Sequence, residues 1–146
     1  MPVNSAWMQR EDPMNEIDLL IDTDLLIEIL RATQQAKEWL EAQGSNVIGI
    51  TVITRMEILQ GAGSKREQKE LASELERFTT VQIETGDSEQ ALKFFEEFHL
   101  SHNLSIMDSL IASIALRTGK PFYTFNTRHF RVVPSLNPQA PYRRVR

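Results

Sequence analysis

Apolar and polar positions alternate in blocks along the chain, and the blocks read as strands and helices in turn. Ile17-Asp18-Leu19-Leu20-Ile21 is a short, almost unbroken apolar run, the pattern of a strand buried on both faces. Thr23 or Asp24 then caps a helix through Leu25, Leu26, Ile29 and Leu30, and a second helix from about Gln34 to Gln43 stops at Gly44. Val47 to Ile50 is the next strand, and Thr51 begins a helix that Gly61-Ala62-Gly63 closes. Lys65 to Phe78 is helical, with Leu71, Leu75 and Phe78 on one face, and Thr80 to Ile83 is a third strand. Asp87 with Gln90 forms a capping box before a helix carrying Ala91, Leu92, Phe94, Phe95 and Phe98. Ser105 opens a helix from Ile106 to Thr118 that Gly119 ends. Pro121 to Phe125 is a fourth strand and Arg131-Val132-Val133 a short fifth, after which Pro134, Pro138 and Pro141 break the pattern. Strands alternating with helices predict an α/β fold, with a mostly parallel sheet of four to five strands covered on both faces.

Length adds a bound. At 146 residues the chain suits one domain, taken as residues 16–146, with the polar residues 1–15 read as a mobile leader carrying Trp7, Met8 and Met14. With 41% hydrophobic and 25% charged residues the chain has material for a core, which excludes wholesale disorder. There is no cysteine, so disulfides, thiolate metal sites and cysteine nucleophiles are excluded, and a reducing, cytoplasmic setting fits. The apolar stretch Ile17 to Leu30 contains Asp18, Asp22, Asp24 and Glu28 and is too short to span a bilayer, so no membrane association is expected. A net charge of −4 means that any nucleic-acid contact comes from a local basic patch.

The chemistry is suggested by where the acids fall. Asp22 directly follows the first strand, Glu57 lies in the helix after the second, Asp108 opens the helix before the fourth, and Asn126 follows that strand. In an open parallel sheet, ligands bind beyond the carboxyl ends of the strands, where strand order reverses. Carboxylates gathered there repel one another unless a cation neutralises them, and oxygen ligands suit a hard ion such as Mg²⁺ or Mn²⁺. Each residue also has a local reading. Asp22 and Asp24 can cap the first helix, Thr54-x-x-Glu57 and Ser105-x-x-Asp108 both match a capping box, and Asn126 can start a turn. Periodicity does not choose between the two.

Four blocks carry a resemblance. Ile21-Asp22-Thr23-Asp24-Leu25-Leu26-Ile27 resembles the opening motif of the PIN domain, and Thr51 to Gly61, with Glu57 ahead of the glycine, its second block. Asp108-Ser109-Leu110-Ile111-Ala112 resembles the third block and Thr124-Phe125-Asn126-Thr127-Arg128-His129-Phe130 the fourth. Order and spacing agree over roughly residues 17–136, and the Asn-Thr-Arg-His-Phe ending looks most like the VapC toxins of bacterial toxin–antitoxin pairs.

The resemblance implies a three-layer α/β/α fold and a metal-dependent endoribonuclease acting on structured RNA. By motif match, Asp22, Glu57 and Asp108 would hold Mg²⁺ or Mn²⁺, with Asn126 beside them and Thr23 and Thr124 orienting the carboxylates. Asn126 stands where the fullest form of the pattern has an acid, although Asn is a frequent occupant. The family also implies a homodimer and a VapB-like antitoxin partner. The run Phe94, Phe95, Phe98 and Leu100, with Leu59 and Leu75, offers apolar surface for association. Two rival readings stand beside this one. A haloacid dehalogenase-like phosphatase would use Asp22-Thr23-Asp24, but lacks its later Asp-Asp pair here; a non-cleaving PIN-like module would bind RNA or a partner only. His99 and His102 read as solvated helix-end residues, and His129 as structural or as an RNA contact. Arg128, Arg131, Arg143, Arg144 and Arg146 form a basic C-terminal fifth, suited to RNA phosphates or to a solvated tail.

Overall fold

The computed structural model describes residues 16–145. Among them, four strands and seven helices alternate: β1 (Leu19–Ile21), α1 (Thr23–Leu30), α2 (Gln34–Ala42), β2 (Ile48–Thr51), α3 (Val52–Gln60), α4 (Lys65–Leu75), β3 (Thr79–Val81), α5 (Thr85–His102), α6 (Ile106–Thr118), β4 (Phe122–Tyr123) and α7 (Thr127–Phe130). The expected leader, residues 1–15, lies outside the described residues.

All strand pairs are parallel, in the order β3-β2-β1-β4. Leu19 pairs with Ile48 on one side of β1, and Ile21 pairs with Tyr123 on the other. The sheet therefore grows from β1 in both directions, and the order reverses between β1 and β4. Alternation along the pleat splits β1 between two cores. Leu19 and Ile21 pack with Leu25, Leu26, Ile50, Leu75 and Phe78, while Leu20 packs with Ile53, Phe94, Ile111, Ile114, Phe122 and Phe130. Helices on both faces complete a three-layer α/β/α arrangement, as the apolar run required. Gly49 in β2 permits this packing, because a Cβ there would meet two Ile17 side-chain carbons at 3.0 Å.

Hydroxyls and carboxylates define the helix starts. Thr51 Oγ1 accepts the N–H of Thr54, Ser64 Oγ that of Glu67, and Ser105 Oγ that of Asp108. Gly119, at φ 66°, takes the left-handed position that ends α6. Asp87 does sit in a capping box, but its partner is Glu84 rather than Gln90, so α5 begins two residues before Asp87. Asp87 is 2% exposed and receives Arg117 Nε at 2.8 and 2.9 Å, tying α5 to α6.

The expected fifth strand is absent. Arg131–Val133 forms no strand; the turn that follows α7 occupies this stretch, and the bridge beside β4 is made by Gln139 to Tyr123. Arg143 and Arg144 are exposed, but the backbone that carries them is held in place. The Gln35 amide clamps its backbone, donating to Arg143 O at 2.8 Å and accepting Val145 N–H at 2.9 Å. Tyr142 packs edge-on against Phe125, and the Arg144 guanidinium lies 4.2 Å over the same ring.

Candidate active site

Strand order delivers the acids to one place. Asp22 leaves the end of β1 and caps α1, its Oδ1 accepting the Thr23 N–H at 2.8 Å. Thr124 leaves the end of neighbouring β4 and donates its hydroxyl to Asp22 Oδ2 at 2.7 Å, across 102 residues of sequence. The Thr124 hydroxyl oxygen in turn accepts the Asn126 N–H at 3.0 Å, which shapes the turn into α7. Thr124 is fully buried and Asp22 is 7% exposed. Glu57 projects from α3, and its Oε1 accepts the Thr23 hydroxyl at 3.0 Å. Asp108, in the first turn of α6, pairs through Oδ2 with His129 Nε2 at 2.8 Å.

The electrostatics show how close the group is to instability. Burial pushes the Asp22 carboxyl up to about 7, with the Asp24 charge adding to it and the bonds from Thr124 and Thr23 opposing. Burial also raises Glu57, against the pull of the Thr23 hydroxyl. The charge of Asp108 lifts both Asp22 and Glu57, so the three sense one another although they come from different elements. Asp24 is raised by burial too. Its Oδ2 accepts the Phe125 N–H at 3.1 Å, and among the described residues its buried Oδ1 has no hydrogen-bond partner. Arg144 eases Asp24 only from a distance, since its own ion pair goes to Glu28 at 3.6 Å.

The local cap readings are thus partly right and insufficient. Asp22 is an N-cap, yet its second oxygen reaches Thr124. Ser105 caps α6 with its own hydroxyl, leaving the Asp108 carboxylate free to meet His129. Thr54 is no cap at all. It is fully buried inside α3, 2.9 Å from the Thr23 hydroxyl, and extends the chain Thr54–Thr23–Glu57. Sequence reasoning took Thr54 only as a cap, missed Asp24 as a member of the acid group, and read His129 as structural or as an RNA contact. Only the Thr54 hydroxyl had a local signal, its three-residue offset from both Thr51 and Glu57. Asn126 is exposed and makes no side-chain cap bond, so what ties it to the site is its backbone N–H.

Among the described residues, no three acidic or histidine side chains already stand together as a finished metal cage. The donor set nevertheless suits a divalent cation. It consists of carboxylate oxygens, Asp22 and Glu57 are pushed up by burial and by the charge of Asp108, and a buried oxygen of neighbouring Asp24 has no hydrogen-bond partner among the described residues. A cation entering this group would relieve all three costs.

Several neighbours of the acids in sequence are exposed. Arg128 and Asn126 are exposed on the α7 side, and Met56, Ile106 and Met107 are exposed beside Glu57 and Asp108. Leu92 and Leu100 add exposed apolar surface on α5, whereas Leu75 and Phe94, expected at an interface, are core residues. No described helix is long and apolar enough to cross a membrane.

Comparison with known proteins gives concordant findings. The family model of the PIN domain matches residues 19–135. The chain is 28% identical over 122 residues to Ribonuclease VapC10 of Mycobacterium tuberculosis (strain CDC 1551 / Oshkosh), covering 82% of this chain and 91% of that protein. A toxin–antitoxin complex from Klebsiella pneumoniae contains a chain that superimposes with a TM-score of 0.69 at 27% identity, covering 85% of this chain and 98% of that one. A chain of the DNA-bound VapBC of Salmonella typhimurium shares the fold, with a TM-score of 0.70 at 20% identity over 86% of this chain and 99% of that one.

Proposed function

Because the chain belongs to the PIN-domain family, we propose that it is a divalent-metal-dependent endoribonuclease, the toxin of a VapBC-type pair. The observation that supports the reading is the coupling of Asp22, Glu57 and Asp108: Thr23, next to Asp22 at the end of β1, donates its hydroxyl to Glu57 of α3, and the charge of Asp108 in α6 raises both acids. The ribonuclease name of the Mycobacterium tuberculosis relative and the toxin–antitoxin complex that contains the Klebsiella pneumoniae neighbour supply the substrate and partner classes.

Asp22, Glu57 and Asp108 would hold Mg²⁺ or Mn²⁺, with Asn126 at the edge of the group. Such an ion, when bound, activates water and offsets the negative charge that develops on a phosphodiester. The chain's own contribution is preorganisation. Thr124 holds one Asp22 oxygen and the Thr23 N–H the other, while the Thr23 hydroxyl, backed by Thr54, orients Glu57. Burial of Asp22 keeps bulk water away, which strengthens every charge interaction inside. Arg128, exposed in α7 next to His129, offers a contact for an RNA phosphate. The partners on this reading are an RNA substrate, a VapB-like antitoxin and a second copy of the chain, in the cytoplasm. The exposed Leu92, Leu100, Ile106 and Met107 surface is where association would occur.

The test is cleavage of RNA by the purified chain with Mn²⁺ or Mg²⁺, with EDTA, and in the variants Asp22→Asn, Glu57→Gln and Asp108→Asn. Losses on the order of 10²-fold or more are expected for each amide, with the fold intact. Activity undiminished by EDTA would refute the metal reading, and metal binding without cleavage would point to a non-cleaving RNA-binding module.

A further inference from the structure

His129 and Asp108 lie on different elements, and their contact is built rather than incidental. α7 is a single helical turn anchored by Phe130, which is 1% exposed and packs edge-on against Phe122 of β4 at 5.2 Å between ring centroids. The turn is tethered at its start by the Asn126 N–H to Thr124 bond. The Phe130 ring also lies edge-on to His129, at 5.6 Å. His129 is thereby held between the core and Asp108, with its side chain 19% exposed and that of Asp108 29% exposed. At the other end of the contact, the Ser105 hydroxyl accepts the Asp108 N–H, and the Asp108 carboxylate forms no reciprocal capping box with Ser105. The Asp108 carboxylate thus has no helix-capping duty competing with the imidazole.

We propose that His129 is a positioning residue that fixes the Asp108 carboxylate for the divalent cation, holding Oδ2 so that the group presents its other oxygen in one orientation. The inference rests on the reading of Asp108 as a metal ligand, and it goes beyond that reading by assigning a role outside the acid set. A carboxylate on an unrestrained side chain must lose rotational freedom when it takes up an ion; one already held by a hydrogen bond has less to lose. In this family of contacts, the partners that orient a metal ligand typically change metal affinity by about 10- to 100-fold when removed.

The experiment titrates Mn²⁺ alone into the full chain, reading free Mn²⁺ by its paramagnetic resonance signal, for the parent and for His129→Ala, His129→Gln and His129→Asn. Melting temperatures without metal and kcat and KM for RNA cleavage are measured on the same proteins. Gln carries its amide nitrogen as many bonds from the backbone as His Nε2, so it can restore the bond to Oδ2, whereas Asn is one bond too short. The expected pattern is a Mn²⁺ affinity weakened about tenfold in the Ala and Asn variants and largely recovered in Gln. The cleavage loss should fall on kcat and shrink as Mn²⁺ is raised. Three results would overturn the inference: Mn²⁺ affinity unchanged in His129→Ala, equal loss in Ala and Gln, or a raised KM for RNA with metal binding intact, which would make His129 a substrate contact. A parent chain that takes up no Mn²⁺ would instead bring down the metal reading itself, and this inference with it.

Discussion

Replacing Asp22 by Asn should stabilise the metal-free protein while removing its cleavage activity. The folded carboxyl is pushed up to about 7 from 3.8, mainly by burial. At about 1.36 kcal/mol for each tenfold change in proton affinity, this rise places about 4 kcal/mol of strain on the ionised native state. The amide keeps much of the hydrogen bonding. Its oxygen can accept the Thr23 N–H, and its NH₂ can donate to the Thr124 hydroxyl, which then turns its own proton toward Asp24 Oδ2, now 3.3 Å away. Weaker acceptance by a neutral oxygen offsets about 1–2 kcal/mol, leaving a net gain of about 2–3 kcal/mol. That corresponds to a melting temperature roughly 5–12 °C higher for a chain of this size. The sign with pH follows from proton counting. Between the unfolded and folded pKa values the native state binds more protons than the unfolded one, so this group's stability is present at low pH and is lost as pH rises from about 4 to about 7. Melts in EDTA from about pH 4.5 to about pH 8.5 should therefore show parent and variant diverging with rising pH and running parallel above about pH 8. A helix-capping role alone predicts near-identity, since Asn caps as well as Asp. Equal or lower stability of Asp22→Asn at about pH 8, or a difference independent of pH, would refute the burial argument.

Thr54→Val removes the hydroxyl behind Thr23 with little change in shape, so it should lower kcat by about 5- to 10-fold while leaving the melting temperature within a few degrees; unchanged kcat would sever the Thr54–Thr23–Glu57 link. Arg117→Met leaves the buried Asp87 carboxylate without its guanidinium and should cost about 3–5 kcal/mol in denaturant unfolding, with much of the loss recovered in the Arg117→Met/Asp87→Asn double variant. Gly49→Ala forces a methyl group against Ile17 and should cost about 1–3 kcal/mol by the same assay; a neutral outcome would mean that the Ile17 side chain shifts freely.

Much of this protein could be read from neighbours in sequence. Strand–helix alternation, the doubly buried β1, Gly119 as a helix stop and the acids placed after strand ends are all properties of short windows, because hydrophobic period and cap chemistry act over a few residues. The failures are local signals outvoted by partners far along the chain. Arg131–Val133 has a strand-like composition but follows α7, whose Phe130 is committed to the core. Leu75 and Phe94 looked available for an interface and are buried, because burial depends on which helix covers which face of the sheet. The site divides in the same way. Residue types and order nominated Asp22, Glu57 and Asp108, and the motif resemblance added Thr23 and Thr124. Only the β3-β2-β1-β4 order brought Thr124 to Asp22 across 102 residues, and His129 to Asp108 across 21. The ionisation of Asp22 was likewise decided in three dimensions, since desolvation and the fields of Asp24 and Asp108 exist only once strands and helices have packed.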